Sequence, residues 1–148
     1  MSCSRGYDVH GRQTFARFGS AAGPGIATAY DSIGRPSSTT STMGGTSRAL
    51  SYLYDSGGRR SRLTFPDGQY LTYEYDPAGR LTGIRENGGT LAASFTYDGL
   101  GRRQGGSAGG ASTAYAYDPA SRLQNLDVGS YSKPCTRRIT MGQSSRYR

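Results

Sequence analysis

The sequence predicts an all-β protein built from antiparallel β-hairpin repeats, and three observations carry that prediction. A hexapeptide of the form Tyr-Asp-x-x-Gly-Arg recurs along the chain. The segments entering each copy alternate side chains with the period of two expected of strands. Glycine-marked second turns then separate one copy from the next. No stretch shows the 3.6-residue period of a helix.

The hexapeptide begins at Tyr7, Tyr30, Tyr54, Tyr75 and Tyr97, with a variant at Tyr117, so the intervals are 23, 24, 21, 22 and 20 residues. Repetition at so regular a spacing marks a repeat architecture and is read before any local motif. Each copy has the chemistry of a tight turn. Asp8, Asp31, Asp55, Asp76, Asp98 and Asp118 stand at the first turn position, where a carboxylate accepts hydrogen bonds from backbone N–H groups two or three residues on. Pro77 and Pro119 follow in two copies, and their fixed φ suits the second position of a type I turn. Gly11, Gly34, Gly58, Gly79 and Gly101 supply the left-handed backbone that restarts the strand. Ser121 takes that place in the last copy, at a cost of about 1 kcal/mol. Arg12, Arg35, Arg59, Arg80, Arg102 and Arg122 close the six copies. These tyrosines, aspartates, glycines and arginines form the structural turn motif.

Between the copies the elements follow in order. After the first, residues 19–25 are an irregular small-residue stretch rather than a clear return turn. The strand entering Tyr54 aligns Leu50, Tyr52 and Tyr54 on one face after a Gly44-Gly45 turn. Asp67-Gly68 precedes the strand that aligns Leu71, Tyr73 and Tyr75, with Tyr70, Thr72 and Glu74 facing the other way. Asn87-Gly88-Gly89 precedes Leu91, Ala93, Phe95 and Tyr97, and Gly109-Gly110 precedes Thr113, Tyr115 and Tyr117. Each repeat is strand, tight turn, strand, return turn. Ordering roughly 22 residues costs on the order of 1–2 kcal/mol each. Three buried large side chains return only roughly 1.5–3 kcal/mol apiece. Neighbouring repeats must therefore share burial, as in a solenoid.

Composition agrees with an array rather than a compact core. Leu, Ile, Val and Phe make up only 19 of the 148 residues, while Tyr numbers 12 and Gly 23. The net charge of +8 resides largely in residues 129–148, where Lys133, Arg137, Arg138, Arg146 and Arg148 meet no acid. The reading is a repeat region at 1–128 and a basic, solvated and disordered tail at 129–148 that carries no specific nucleic-acid signal.

Chemistry is sparse. Cys3 and Cys135 lie near opposite ends with no Cys-x-x-Cys pair, and His10 is the single histidine, on a turn. A disulfide between the two cysteines stays open, but a zinc-type site is excluded. Six of the eight aspartates have a turn role, no Ser-His-Asp set can be assembled, and no glycine-rich loop opens a helix. The expectation is no catalytic residue, no metal and no cofactor. No apolar run approaches the ~18 residues of a membrane span, and the start lacks a secretory leader. The turn charges are expected to be solvated, each Arg cancelling its own Asp. Tyrosines on a β surface also stack on sugars, so carbohydrate binding is the alternative reading.

The hexapeptide series, with Phe65-Pro66-Asp67-Gly68 and Tyr73-Glu74-Tyr75-Asp76, resembles the RHS/YD-repeat family over about residues 7–128. That resemblance implies a long antiparallel sheet spiralling into a hollow shell. In bacterial members the shell encloses a C-terminal toxin; teneurins use a similar barrel on cell surfaces. It implies as partners further RHS repeats and an enclosed toxin segment of a parent protein, secreted or at the cell surface. Toxin-bearing members end in an Asp-Pro-x-Gly-Leu segment linked to self-cleavage. Asp76-Pro77-Ala78-Gly79-Arg80 and Asp118-Pro119-Ala120-Ser121-Arg122 share only its first part, so no self-cleavage is expected. With no polar capping unit at either end, the chain reads as a fragment of something longer.

Overall fold

In the computed structural model, residues 2–129 and the backbone of 135–137 are described. The strands are β1 (Cys3–Tyr7), β2 (Gln13–Phe18), β3 (Gly25–Tyr30), β4 (Pro36–Met43), β5 (Thr46–Tyr54), β6 (Arg60–Thr64) and β7 (Tyr70–Tyr75). They continue as β8 (Leu81–Glu86), β9 (Thr90–Tyr97), β10 (Arg103–Ala108), β11 (Ala111–Tyr117), β12 (Leu123–Gly129) and β13 (Cys135–Arg137). Their order in the sheet is the order of the sequence. The all-β, antiparallel hairpin architecture read from the repeats is therefore the fold. It divides into two compact units, Met1–Tyr73 with Glu86–Gly88, and Glu74–Arg85 with Gly89–Arg148.

In the first unit every ladder from β1 to β7 is antiparallel. Thr39 sits opposite Leu50, Tyr52 opposite Leu63, and Leu63 opposite Leu71, so one face collects Leu50, Tyr52, Leu63 and Leu71, while Leu53, Arg62 and Tyr70 lie on the other. That second face also carries Thr40, Thr42, Ser47 and Thr64, small polar residues suited to a wet or closely approached surface. Met43 pairs with Thr46 around Gly44 and Gly45, whose φ values of 56° and 78° form the mirror-image two-residue turn that matches strand twist. The 19–25 stretch, irregular in sequence, is the return connection between β2 and β3. Gly23 N–H closes it onto the Ser20 carbonyl at 3.0 Å, and Arg17 Nη1 donates to the Ala21 carbonyl at 2.8 Å.

In the second unit β9 to β12 continue the antiparallel pattern, and the backbone of β13 pairs with β12 at Leu126–Val128. Phe95 lies opposite Gly106, where an added Cβ would stand 3.2 Å from Phe95 Cδ1 and 2.9 Å from the Ser94 carbonyl oxygen. Glycine there leaves room for the close approach of the ring. Apart from Gly129 and the backbone of 135–137, the expected tail falls outside the described residues.

The shared burial anticipated from the energy argument is not achieved within the described residues: no hydrophobic side chain among them is buried. Tyr52, Leu63, Leu71 and Tyr115 are half-buried, and Phe18, Ile26, Met43 and Leu53 are more than half exposed or close to it. A sheet of this kind shields each side chain with its cross-strand neighbours but lays nothing over them.

Candidate functional site

The six tight turns share one hydrogen-bond scheme. The Asp N–H donates to the Arg carbonyl four residues on, at 2.8–2.9 Å, and the fifth residue's N–H donates back to the Asp carbonyl at 2.9–3.0 Å. That fifth residue is left-handed throughout, from Gly11 at φ 76° to Ser121 at 61°. The result is a type I turn with a glycine bulge, seen as register slips before Tyr7, Tyr30, Tyr54 and Tyr117. Phe65-Pro66-Asp67-Gly68-Gln69 takes the same form, with Phe65 N–H on the Gln69 carbonyl at 2.7 Å.

Each turn carboxylate is fully used. Asp8 Oδ1 accepts the N–H groups of His10 and Arg12, both at 2.9 Å, and Oδ2 accepts Arg12 Nε at 2.6 Å. Asp31, Asp55, Asp76, Asp98 and Asp118 repeat the Arg contacts at 2.6–2.9 Å. The backbone N–H groups that donate to the carboxylate are thus two and four residues on, rather than two or three. All six carboxyls are held below their ordinary range. For Asp8, Asp55, Asp76 and Asp118 the largest influence is the Arg backbone N–H. For Asp31 and Asp98 lost hydration is the largest single influence and acts upward, but the combined hydrogen bonds from Arg35 with Ile33, and Arg102 with Leu100, outweigh it.

The arginine then reaches beyond its own turn. Arg12 lies over the Tyr30 ring at 4.7 Å, and Arg35 over Tyr54 at 4.3 Å. In the second unit Arg80 lies over Tyr97 at 4.8 Å and Arg102 over Tyr117 at 4.6 Å. Each of these tyrosines donates its hydroxyl to the carbonyl of the residue just after that arginine. Tyr30 reaches Gln13, Tyr54 reaches Pro36 and Tyr97 reaches Leu81 at 2.8 Å, while Tyr117 reaches Arg103 at 2.9 Å. One repeat is stitched to the next by a guanidinium on a ring face and a phenol on a carbonyl. Each turn Arg does cancel its own Asp, but the pairs are less solvated than expected: the Asp side chains are only 16–24% exposed, and in these four junctions Arg serves two repeats at once. Sequence reasoning missed the second contact because Arg and Tyr lie 15–19 residues apart in these four pairs. Only the strand register brings them together. Tyr52 and Tyr70 are likewise faced by Arg60 at 4.6 Å and Arg62 at 3.6 Å.

Among the described residues no group of three His, Cys, Asp or Glu side chains is placed to hold a metal ion. His10 is an exposed turn residue whose backbone N–H serves Asp8. Cys3 is free and exposed, beside a shallow apolar depression of about 310 Å³ that Phe18, Ile26 and Met43 help to line. The described residues include no helix long and apolar enough to cross a membrane.

The RHS Repeat family model matches residues 54–91 and 75–105, a stretch that holds the turns at Tyr54, Tyr75 and Tyr97 and the Arg80–Tyr97 stitch. Residues 54–105 are thus similar to the RHS repeat. Solved structures share the fold. The crystal structure of TcdB2-TccC3-Cdc42 superposes with a TM-score of 0.70 at 20% identity, covering 84% of this chain and 7% of that one. TcdB2-TccC3 gives 0.65 at 18% identity over 85% and 7%. The Photorhabdus luminescens Tc holotoxin pore gives 0.52 at 18% identity over 91% and 9%. The chain spans less than a tenth of the length of those chains. No curated protein matches it.

Proposed function

We propose that this chain is a structural, non-catalytic RHS-repeat wall segment, residues 1–128, of a larger secreted or surface toxin-type protein. Its partners are further RHS repeats and the toxin segment that such a shell encloses. The observation that carries the reading is the economy of the turn motif. Each turn carboxylate is spent on its own turn and arginine, which leaves no free acid, base or nucleophile pair among them. A sheet with no buried hydrophobic side chain among its described residues also presents large apolar side chains for other material to cover. That is what a wall needs and an independent globular enzyme does not.

A chimera tests this. Residues 7–128 replace the corresponding repeats of a TccC-type shell, and protease protection of the enclosed segment is measured. Retained protection is expected; a folded chimera whose enclosed segment is digested would overturn the proposal. Carbohydrate binding is the second reading. It is weakened because Tyr30, Tyr52, Tyr54, Tyr70, Tyr97 and Tyr117 each already have a guanidinium over a ring. A glycan-array screen showing saturable binding would restore it.

A further inference from the structure

At the return-turn ends of β2 to β5, in the first unit, the sheet presents an apolar patch to solvent. Phe18 closes β2, Ile26 lies near the start of β3 and Met43 closes β4. The three side chains are 55%, 50% and 58% exposed, and they line one shallow depression of about 310 Å³. Each of these strands has a neighbour on both sides, so the exposure belongs to a face of the sheet and not to its edge.

The register sets a cation beside that patch. Ile26 stands opposite Ser41, and Ser41 opposite Arg48, so the three share a face, with Met43 and Thr46 in the next row. A second hollow, lined by Ser41, Met43, Thr46 and Arg48, shares Ser41 and Met43 with the apolar depression. Arg48 is exposed. Among the described residues it is the one arginine within β2 to β12 with no hydrogen bond, ion pair or ring contact, whereas Arg17, Arg60, Arg62, Arg85 and Arg103 are all engaged. No acid lies near it. β2 to β5 and the two return connections among them hold no Asp or Glu. Asp8, Asp31 and Asp55 sit in the tight turns at the opposite ends of these strands, closed onto Arg12, Arg35 and Arg59. The return connections are Gly-Ser-Ala-Ala-Gly-Pro at 19–24 and Gly44-Gly45, both small and uncharged.

Exposed apolar side chains beside an unpaired guanidinium, with no acid in reach, complement a surface that is apolar within and anionic at its rim. A bilayer containing acidic lipid has that layering. Phenylalanine and aliphatic side chains enter the boundary of the acyl chains while an arginine stays level with the phosphates. A soluble small ligand fits less well, because a shallow depression cannot surround one. We propose that the return-turn end of β2–β5 docks peripherally on an anionic membrane surface, with Phe18, Ile26 and Met43 entering the acyl boundary and Arg48 holding a lipid phosphate. This docking is additional to the wall role and does not require an enclosed segment.

The chain has no tryptophan, so an introduced one reports the contact. Met43→Trp places the probe in the patch. Ile33→Trp places it between β3 and β4, in an exposed tight turn at the opposite end of the same strands. Each full-length variant, its sheet confirmed by circular dichroism, is mixed with phosphatidylcholine vesicles with or without phosphatidylglycerol. Emission from Met43→Trp should shift to the blue with the anionic vesicles only and be quenched by brominated acyl chains; Ile33→Trp should show neither effect. Comparing the two positions separates docking by the patch from simple attraction of the basic residues 129–148 to anionic lipid. In vesicle co-sedimentation Arg48→Gln should weaken binding about fivefold, and Phe18→Ser about tenfold. The proposal is overturned if Met43→Trp ignores anionic vesicles, if both probes respond alike, or if binding is indifferent to both substitutions. An equal response of Met43→Trp to polyglutamate, which has no acyl chains, would also overturn it in favour of an acidic protein partner.

Discussion

Replacing Gly34 with alanine perturbs one turn in two separable ways. Its φ of 90° is left-handed, and an L-residue held there costs about 1–2 kcal/mol. The new Cβ would also stand 2.7 Å from Arg12 Nη1, so the guanidinium must move and lose its place over Tyr30. At an exposed site that contact is worth about 0.5–1 kcal/mol. Gly68 is the matched control, with φ 87°, the same turn scheme, and nothing within 4 Å of an added Cβ. Gly68→Ala should therefore show the backbone cost alone, and Gly34→Ala should exceed it by about 0.5–1 kcal/mol. In an Arg12→Ala background the excess should vanish, because the displaced group is gone. Urea titrations followed by far-ultraviolet circular dichroism, with a common slope, read both differences. If Gly68→Ala costs as much as Gly34→Ala, or the excess survives without Arg12, the stitch has no energetic content.

Three further outcomes follow from the same geometry. Tyr54→Phe removes only the hydroxyl bond to the Pro36 carbonyl and should cost about 0.5–1.5 kcal/mol in the same titration, with Tyr54→Ala costing more because Arg35 loses its ring. The six turn carboxyls are held low in the folded state, so their contribution is complete above the unfolded carboxylate value near 3.8 and is lost as pH falls through the folded values. An acid titration should thus be flat through neutrality and lose sheet signal only in the acid range; loss beginning near pH 6 would contradict it. Gly25→Ala should cost about 3 kcal/mol, since its Cβ would sit 2.2 Å from the Ala16 backbone oxygen. Gly83→Ala should cost less than about 1 kcal/mol, because its 2.5 Å clash is with the movable Glu74 carboxylate; thermal melts rank the two.

What the sequence made legible was local. Asp98-Gly99-Leu100-Gly101-Arg102 encodes its own turn, because carboxylate, bulge glycine and closing arginine lie within five residues. Gly44-Gly45 and Gly109-Gly110 likewise encode theirs through positive φ. The alternation of Thr113, Tyr115 and Tyr117 gave the half-buried face of β11 directly. The inter-repeat stitch was not legible, since Arg102 meets Tyr117 only after β10 and β11 have paired in one particular register. The similarity of Phe65-Pro66-Asp67-Gly68 to the tyrosine turns was hidden for another reason. Phe65 replaces the carboxylate, and Asp67 supplies an oxygen to Gln69 N–H from inside the turn instead. Burial was misjudged because alternation reports which face a side chain joins, not whether anything lies over that face.

The uncovered sheet has a calorimetric corollary. The heat-capacity increment of unfolding measures the apolar surface newly wetted, typically about 12–15 cal/mol/K per residue. With no hydrophobic side chain fully shielded among the described residues, much of that surface is wet beforehand. The increment per residue should fall below the usual range, so free energy bends only gently with temperature. Such a chain has a broad, low dome of stability and owes little of it to the entropy of water.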